Sequence, residues 1–249
     1  MTRTGTLAAA AVLLIASGAA NASVLPPELS GLQVTVQFGS TMWDLNDDLG
    51  SVTNVTQDPN DPLRWTIEGA RDGVMNSAVD VEYTLVIDTN PFISSSFNIT
   101  NGSATDQDFV VTVVSPVSSP ASAPSTIAGS VSGSVLDADG SGGGTISTVP
   151  GSGFYEAFAD GSLAKVLYPD PPGSSFSAPL AGTANIPTIS YGPEASTASA
   201  FATIGITNTF NLTAGDAGQM VSTFLIVPTP GSAALLGLAG LAALRRRRG

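Results

Sequence analysis

Apolar and polar positions alternate through the middle of the chain. Leu32, Val34, Val36 and Phe38 alternate with Gln33, Thr35 and Gln37, the two-residue period of a strand with one face in a core and one in water. Leu63, Trp65 and Ile67 repeat the pattern, and Val79, Val81, Tyr83, Leu85 and Ile87 repeat it against Asp80, Glu82, Thr84 and Asp88. Phe109 to Val114 is more continuously apolar and predicts a central strand. Late strands are expected over Thr203 to Leu212 and Met220 to Val227. Turn formers punctuate these runs: Asp72-Gly73, Asn101-Gly102, Asp139-Gly140, Asp160-Gly161 and Ala214-Gly215-Asp216. No segment of the body carries a 3.6-residue apolar repeat over three turns; Leu163 to Leu167 is the one short stretch that reads as helical. Two Pro-rich stretches, Pro116 to Pro124 and Pro169 to Pro179, read as long loops, the first as a crossing from one sheet to another. The pattern predicts an all-β, antiparallel β-sandwich, with a β-barrel as the alternative.

The two ends do not share this pattern. Arg3, an apolar stretch from Leu7 to Ile15, and a small-residue segment closing on Ala20-Asn21-Ala22 have the layout of a secretory signal peptide, with cleavage expected after Ala22. At the other end Pro228-Thr229-Pro230 precedes an Ala/Leu/Gly run, and the run is followed by Arg245, Arg246, Arg247 and Arg248. Residues 231–244 span roughly 21 Å as a helix at about 1.5 Å per residue, short of the ~30 Å hydrocarbon core. That suits a short transmembrane helix used for temporary anchoring, with the arginines on the cytoplasmic side. The expected organisation is a signal peptide over 1–22, a β-sandwich domain over 23–226 and a sorting tail over 227–249.

The order of Pro-x-Pro motif, short apolar helix and arginine cluster resembles the PEP-CTERM sorting tail of bacterial envelope proteins. That family carries Glu between the two prolines, where this chain carries Thr229. The resemblance implies three things: a signal peptidase at the N-terminus, an exosortase-type membrane transpeptidase acting near the motif, and transient residence in the inner membrane before delivery to the cell surface or matrix. Bodies in that family vary widely, so the tail implies location rather than activity.

Charge and composition narrow the function classes. Between the two end segments, Arg64, Arg71 and Lys165 stand against all twenty acidic side chains, a balance of −17. A body this acidic repels nucleic acid and anionic membranes and attracts divalent cations. The chain has no cysteine and no histidine. It therefore forms no disulfide and no thiolate site, it supplies no Ser-His-Asp or Cys-His machinery, and it lacks the commonest zinc ligand.

The densest acidic stretch is Asp44-Leu45-Asn46-Asp47-Asp48, followed by Asp58-Pro59-Asn60-Asp61. Asp44, Asn46 and Asp48 have the opening spacing of an EF-hand loop, but the glycine falls at position 50 rather than 49 and Val55 stands where the bidentate Glu should be, so a calcium site here would be a sandwich-loop site built by Asp44, Asn46, Asp48, Asp58 and Asp61. The same residues otherwise serve as turn formers. Asp137-Ala138-Asp139-Gly140, with the glycines that follow, is a second and weaker candidate, and also a natural hairpin loop. Trp43, Trp65, Tyr155, Tyr168 and Tyr191 offer faces for stacking on sugar rings, with core packing the alternative. The leading expectation is an exported, non-catalytic cell-envelope or extracellular-matrix protein. A calcium- or exopolysaccharide-binding module centred on Trp43 and the first acidic stretch is the alternative. A glycan-active enzyme is the third, and it would need two carboxylates about 5–10 Å apart in a cleft.

Overall fold

A computed structural model of the chain describes residues 25–74, 77–121 and 123–228. The expected signal segment, Thr229, Pro230 and the arginine cluster lie outside the described residues. The strands in chain order are β1 (Gln33–Phe38), β2 (Thr41–Asp44), β3 (Val52–Asp58), β4 (Asp61–Arg71), β5 (Val79–Asp88), β6 (Phe92–Asn101), β7 (Gln107–Pro116) and β8 (Ser125–Leu136), followed by β9 (Thr145–Ser147), β10 (Tyr155–Ala159), β11 (Ser162–Leu167), β12 (Ser175–Ser177), β13 (Thr183–Ser196), β14 (Thr203–Leu212) and β15 (Ala217–Pro228). Helix among the described residues is confined to short 3₁₀ turns, among them Pro27–Leu29, Leu45–Asp47 and Leu49–Ser51.

The strands form two antiparallel sheets in a sandwich-like arrangement, and no closed barrel is present among the described residues. One sheet runs β11-β10-β14-β7-β1-β2, with β9 attached to β14 and β12 to β9; the other runs β13-β8-β15-β6-β5-β4-β3. Alternation does what the pattern predicts: on β5, Val79, Val81, Tyr83, Leu85 and Ile87 are buried while Asp80, Glu82 and Thr84 face solvent. Inward side chains of both sheets merge into one core. The apolar run of residues 109–114 sits in β7, interior to the first sheet, as expected. The Pro-rich stretch after β7 carries the chain from the first sheet to β8 in the second.

Two local expectations are corrected. Leu163 to Leu167 is not helical; it belongs to β11, which closes the tight Asp160-Gly161 hairpin against β10. Both turn residues have positive φ, 47° and 75°, the backbone of a two-residue hairpin turn. Asn101-Gly102 does not make such a turn. Asn101 ends β6 fully buried, and a longer loop follows before β7.

Polar groups stitch the sheets together across the core. Asn208 on β14 donates from Nδ2 to the Phe154 carbonyl and to Ser222 Oγ on β15, both at 2.8 Å, and the Ser222 hydroxyl donates back to Asn208 Oδ1 at 3.0 Å. Tyr155 on β10 donates to the Thr223 carbonyl at 2.8 Å, and its hydroxyl meets that of Tyr191 on β13 at 3.1 Å. Gly129 on β8 makes room for this pair: a Cβ there would lie 2.7 Å and 2.8 Å from the two tyrosine oxygens and 2.5 Å from the Thr223 carbonyl oxygen. Burial pushes Tyr155 far above the usual phenol range, and it pushes Tyr191 up to about 12.

Strand directions give the sandwich two distinct poles. The described chain begins beside Pro116, where a Cβ on Gly31 would lie 3.3 Å from the proline ring. It ends at Pro228, paired with Ser125. Pro116 itself pairs with Thr203, so the start and the end of the body share one pole with the Asp160-Gly161 hairpin. The loops after β6, β8 and β14 lie at the other pole.

Candidate functional site: an aspartate-lined cleft

The pole away from the chain ends carries a cleft of about 830 Å³ between the loops after β6, β8 and β14. Asp137 and Asp139 come from the loop after β8, and Asp216 from the turn between β14 and β15. One carboxylate oxygen from each lies within 4.8 Å of the others. The strand register brings them together. Leu136 pairs with Ala217, so the next residue on one strand and the preceding residue on the other, Asp137 and Asp216, meet at the strand ends.

Each carboxylate is oriented by its neighbours. Asp137 accepts from the Gly140 amide at 2.9 Å and the Ala181 amide at 2.7 Å. Asp216 accepts from the Thr213 hydroxyl and from the Ala138 amide at 3.3 Å. Asp139, exposed, accepts from the Ser141 amide at 2.7 Å and the Ser141 hydroxyl at 2.8 Å. Gly215 has φ +79°, and a Cβ on it would lie 2.3 Å from Asp139 Oδ2, so only glycine lets this carboxylate approach. Asn101 ties the loops to one another. Its Nδ2 donates to the carbonyls of Thr105 and Leu212 at 3.0 Å and of Thr213 at 3.1 Å, while the Asn101 backbone amide donates to the Asp216 carbonyl at 2.8 Å.

Electrostatics divide the three acids. Burial, reinforced by the charges of Asp137 and Asp139, raises the Asp216 carboxyl above its ordinary value despite the hydrogen bonds from Thr213 and Ala138. The hydroxyl and amide of Ser141 hold Asp139 below the usual range. No Lys or Arg lines the cleft; the ion pairs among the described residues, Arg71–Asp48 at 3.1 Å and Lys165–Glu194 at 2.7 Å, lie elsewhere. Hard cations such as calcium take oxygen ligands at about 2.3–2.6 Å, which places ligand oxygens up to ~5 Å apart across the ion. The spacing and the oxygen-only donor set fit that chemistry.

The first acidic stretch is arranged differently. Asp44 accepts from the Asn46 amide at 2.8 Å, and the Asn46 side chain donates to the Leu32 carbonyl at 3.0 Å. Asp48 accepts from Trp43 Nε1 at 3.1 Å and pairs with Arg71. Asp58 and Asp61 accept from the Asn60 and Leu63 amides at 2.9 Å and 3.1 Å. The length of β3 stands between the groups: at about 3.3 Å per residue it holds Asp58 and Asp61 roughly 20 Å from Asp48. These five side chains do not converge; they shape turns and hold the flank where β2 leads into β3. Trp43 is buried at 2 % exposure against Tyr83, with ring centroids 5.8 Å apart, so it presents no face to a sugar. Tyr155 and Tyr191 are core residues as well, and Trp65 and Tyr168 pack against the core.

In the sequence, Asp137 and Asp139 stand in a candidate loop, whereas Asp216 and Asn101 stand out only as turn residues. The one available signal was weak, an Asp beside a Gly-containing turn immediately before a strand. No family model matches the chain, and none of the curated proteins compared with it matches significantly.

Proposed function

We propose that this is an exported, non-catalytic protein of the bacterial cell envelope or extracellular matrix, an acidic sandwich sorted by its C-terminal tail. One observation carries the reading: the Pro-Thr-Pro motif, apolar run and four arginines follow directly on β15, whose last residue, Pro228, is the first residue of the motif. A sorting signal of this design sits at the boundary of the passenger, and here the boundary coincides with the end of a core strand. The lack of His and Cys and the acidity of the body favour a structural or binding role over catalysis. The test is intact-mass analysis of the protein recovered from membrane, surface and medium fractions of the native cells. Loss of residues 1–22 and of the arginine cluster from surface or medium material is the expected result. Delivery of a tail-deleted chain to the same fraction would overturn the reading.

A second reading concerns the body. The convergence of Asp137, Asp139 and Asp216 favours a divalent-cation site of calcium type in the cleft at the far pole. Calcium at 100 times its Kd would stabilise the fold by about 2.7 kcal/mol, a clear rise in melting temperature. The rise should vanish in Asp137→Asn. An unchanged melting temperature at millimolar calcium would refute it.

A further inference from the structure

We propose that, while the tail is in the membrane, the pole at which β15 ends rests against the lipid surface, with Phe201, Leu163 and Val227 in contact with it. This rests on the reading that residues 231–244 insert. Three observations carry it.

The first is reach. Only Thr229 and Pro230 separate Pro228 from the apolar run. At most ~3.6 Å per residue, the end of β15 stays within about 10 Å of where the run begins. The headgroup layer on each face of a bilayer is itself roughly 5–8 Å thick, so an inserted run leaves the strand end at the headgroups.

The second is what surrounds that strand end. Phe201 is 58 % exposed, Leu163 57 % and Val227 45 %, large apolar side chains that gain from leaving water. They belong to one continuous surface. Pro228 pairs with Ser125, and Ser125 Oγ donates to the Ala198 carbonyl at 2.7 Å. Ala198 shares a depression of about 310 Å³ with Leu163 and Asp160. Asp160 in turn fixes the segment bearing Phe201, accepting from the amides of Phe201, Ala202 and Thr203 at 2.8, 2.9 and 2.9 Å.

The third is charge. Lys165, beside this patch, is held by Glu194, and the Asp160 carboxylate is turned onto three backbone amides. The patch around Phe201 and Leu163 therefore presents apolar side chains and neutralised charges, which suits a zwitterionic lipid surface; the acidic Asp58–Asp61 turn stands at the β3 edge of the same pole, four strands away from β15. In this orientation the aspartate cleft, at the opposite end of the twelve-residue β8, faces away from the membrane at roughly 40 Å.

The chain has no cysteine, so single labels are unambiguous. Full-length chains carrying Phe201→Cys, Leu163→Cys, Leu180→Cys or Gly237→Cys are labelled with an environment-sensitive fluorophore and reconstituted into phosphatidylcholine vesicles with brominated acyl chains. Leu180 is 66 % exposed and lies beside Gly143 near the far pole, so it serves as the solvent reference. Quenching at 237, and at 201 and 163 several-fold above that at 180, is the expected result. Quenching at 237 with 201 and 163 no different from 180 overturns the proposal and leaves the tail insertion standing. No quenching at 237 removes both.

Discussion

The Asn208–Ser222 link offers the sharpest test of how the two sheets are held together. Both side chains are buried, at 2 % and 0 % exposure, and Asn208 also satisfies the Phe154 carbonyl. Asn208→Ala therefore strands two buried polar groups, that carbonyl and the Ser222 hydroxyl. At about 1–3 kcal/mol per stranded group, it should destabilise the fold by roughly 3 kcal/mol. Ser222→Ala strands part of the Asn208 amide and should cost about 1–2 kcal/mol. In the double variant the serine hydroxyl is no longer present to be stranded. The combined loss should then fall about 1 kcal/mol short of the sum, within the range for residues in contact. The assay is urea unfolding of the full-length chain in non-ionic detergent, followed by tryptophan fluorescence, since Trp43 is buried in the same core. For a domain of this size about 3 kcal/mol corresponds to a melting drop of roughly 6–12 °C. Strict additivity, within about 0.3 kcal/mol, would refute the claim that these groups satisfy one another.

Gly129→Ala forces a methyl group against the Thr223 carbonyl and the two tyrosine hydroxyls; it should cost about 2 kcal/mol in the same unfolding assay, and a neutral or stabilising effect would show that the strands can part. Asp160 is held below the usual carboxyl range: burial alone would raise it, but the amides of Phe201, Thr203 and Ala202 outweigh that. Its contribution is therefore present above the unfolded-state value near 3.9 and is lost as pH falls through the folded value. Asp160→Asn should lower stability at pH 7 by roughly 1 kcal/mol, kept small by solvent screening, and the gap to wild type should close below about pH 4; a gap independent of pH would refute this. Asp216 has the opposite sign: burial raises its carboxyl, so stability linked to its protonated form is present at low pH and lost as pH rises through the folded value. In chelator at neutral pH, Asp216→Asn should therefore match or exceed wild type in melting temperature, whereas a marked drop would show that the ionised form is the favoured partner of Thr213.

The sequence was most informative where inward positions carry large apolar side chains. β1 and β5 were legible from alternation alone, and the strand expected over Thr203 to Leu212 matches β14 end to end. β8 was not legible, although its inward face also alternates. It reads Ile127, Gly129, Val131, Gly133, Val135, and glycine carries no apolar signal. The volume missing from β8 is supplied by Tyr155 and Tyr191 against Gly129 and by Ile186 against Gly133, residues that the chain supplies later. β13 was hidden for another reason. Pro187 and Pro193 interrupt it, which an edge strand tolerates, and its pairing with β8 shifts register twice. Such interruptions also blunt the edge against pairing with another chain.

The same dependence on distant partners governs the cleft. Asp137 and Asp139 stand out locally as an acidic turn, yet Asp216, 79 residues beyond Asp137, reaches them only because Ala217 pairs with Leu136. A slip of two residues along that pair would keep every inward side chain inward, so the hydrophobic pattern alone does not select the register. It would also carry Asp216 about 7 Å along β8, more than the 4.8 Å that now contains the three oxygens. The glycines of β8 fit only the observed register, and polar groups at this pole reinforce it. The Asn101 side chain grips the Leu212 and Thr213 carbonyls on one side, and the Asp216 carboxylate accepts the Ala138 amide on the other. The groups that assemble the cleft are thus the groups that reinforce the register at this pole, and no single stretch of sequence contains both halves of that lock.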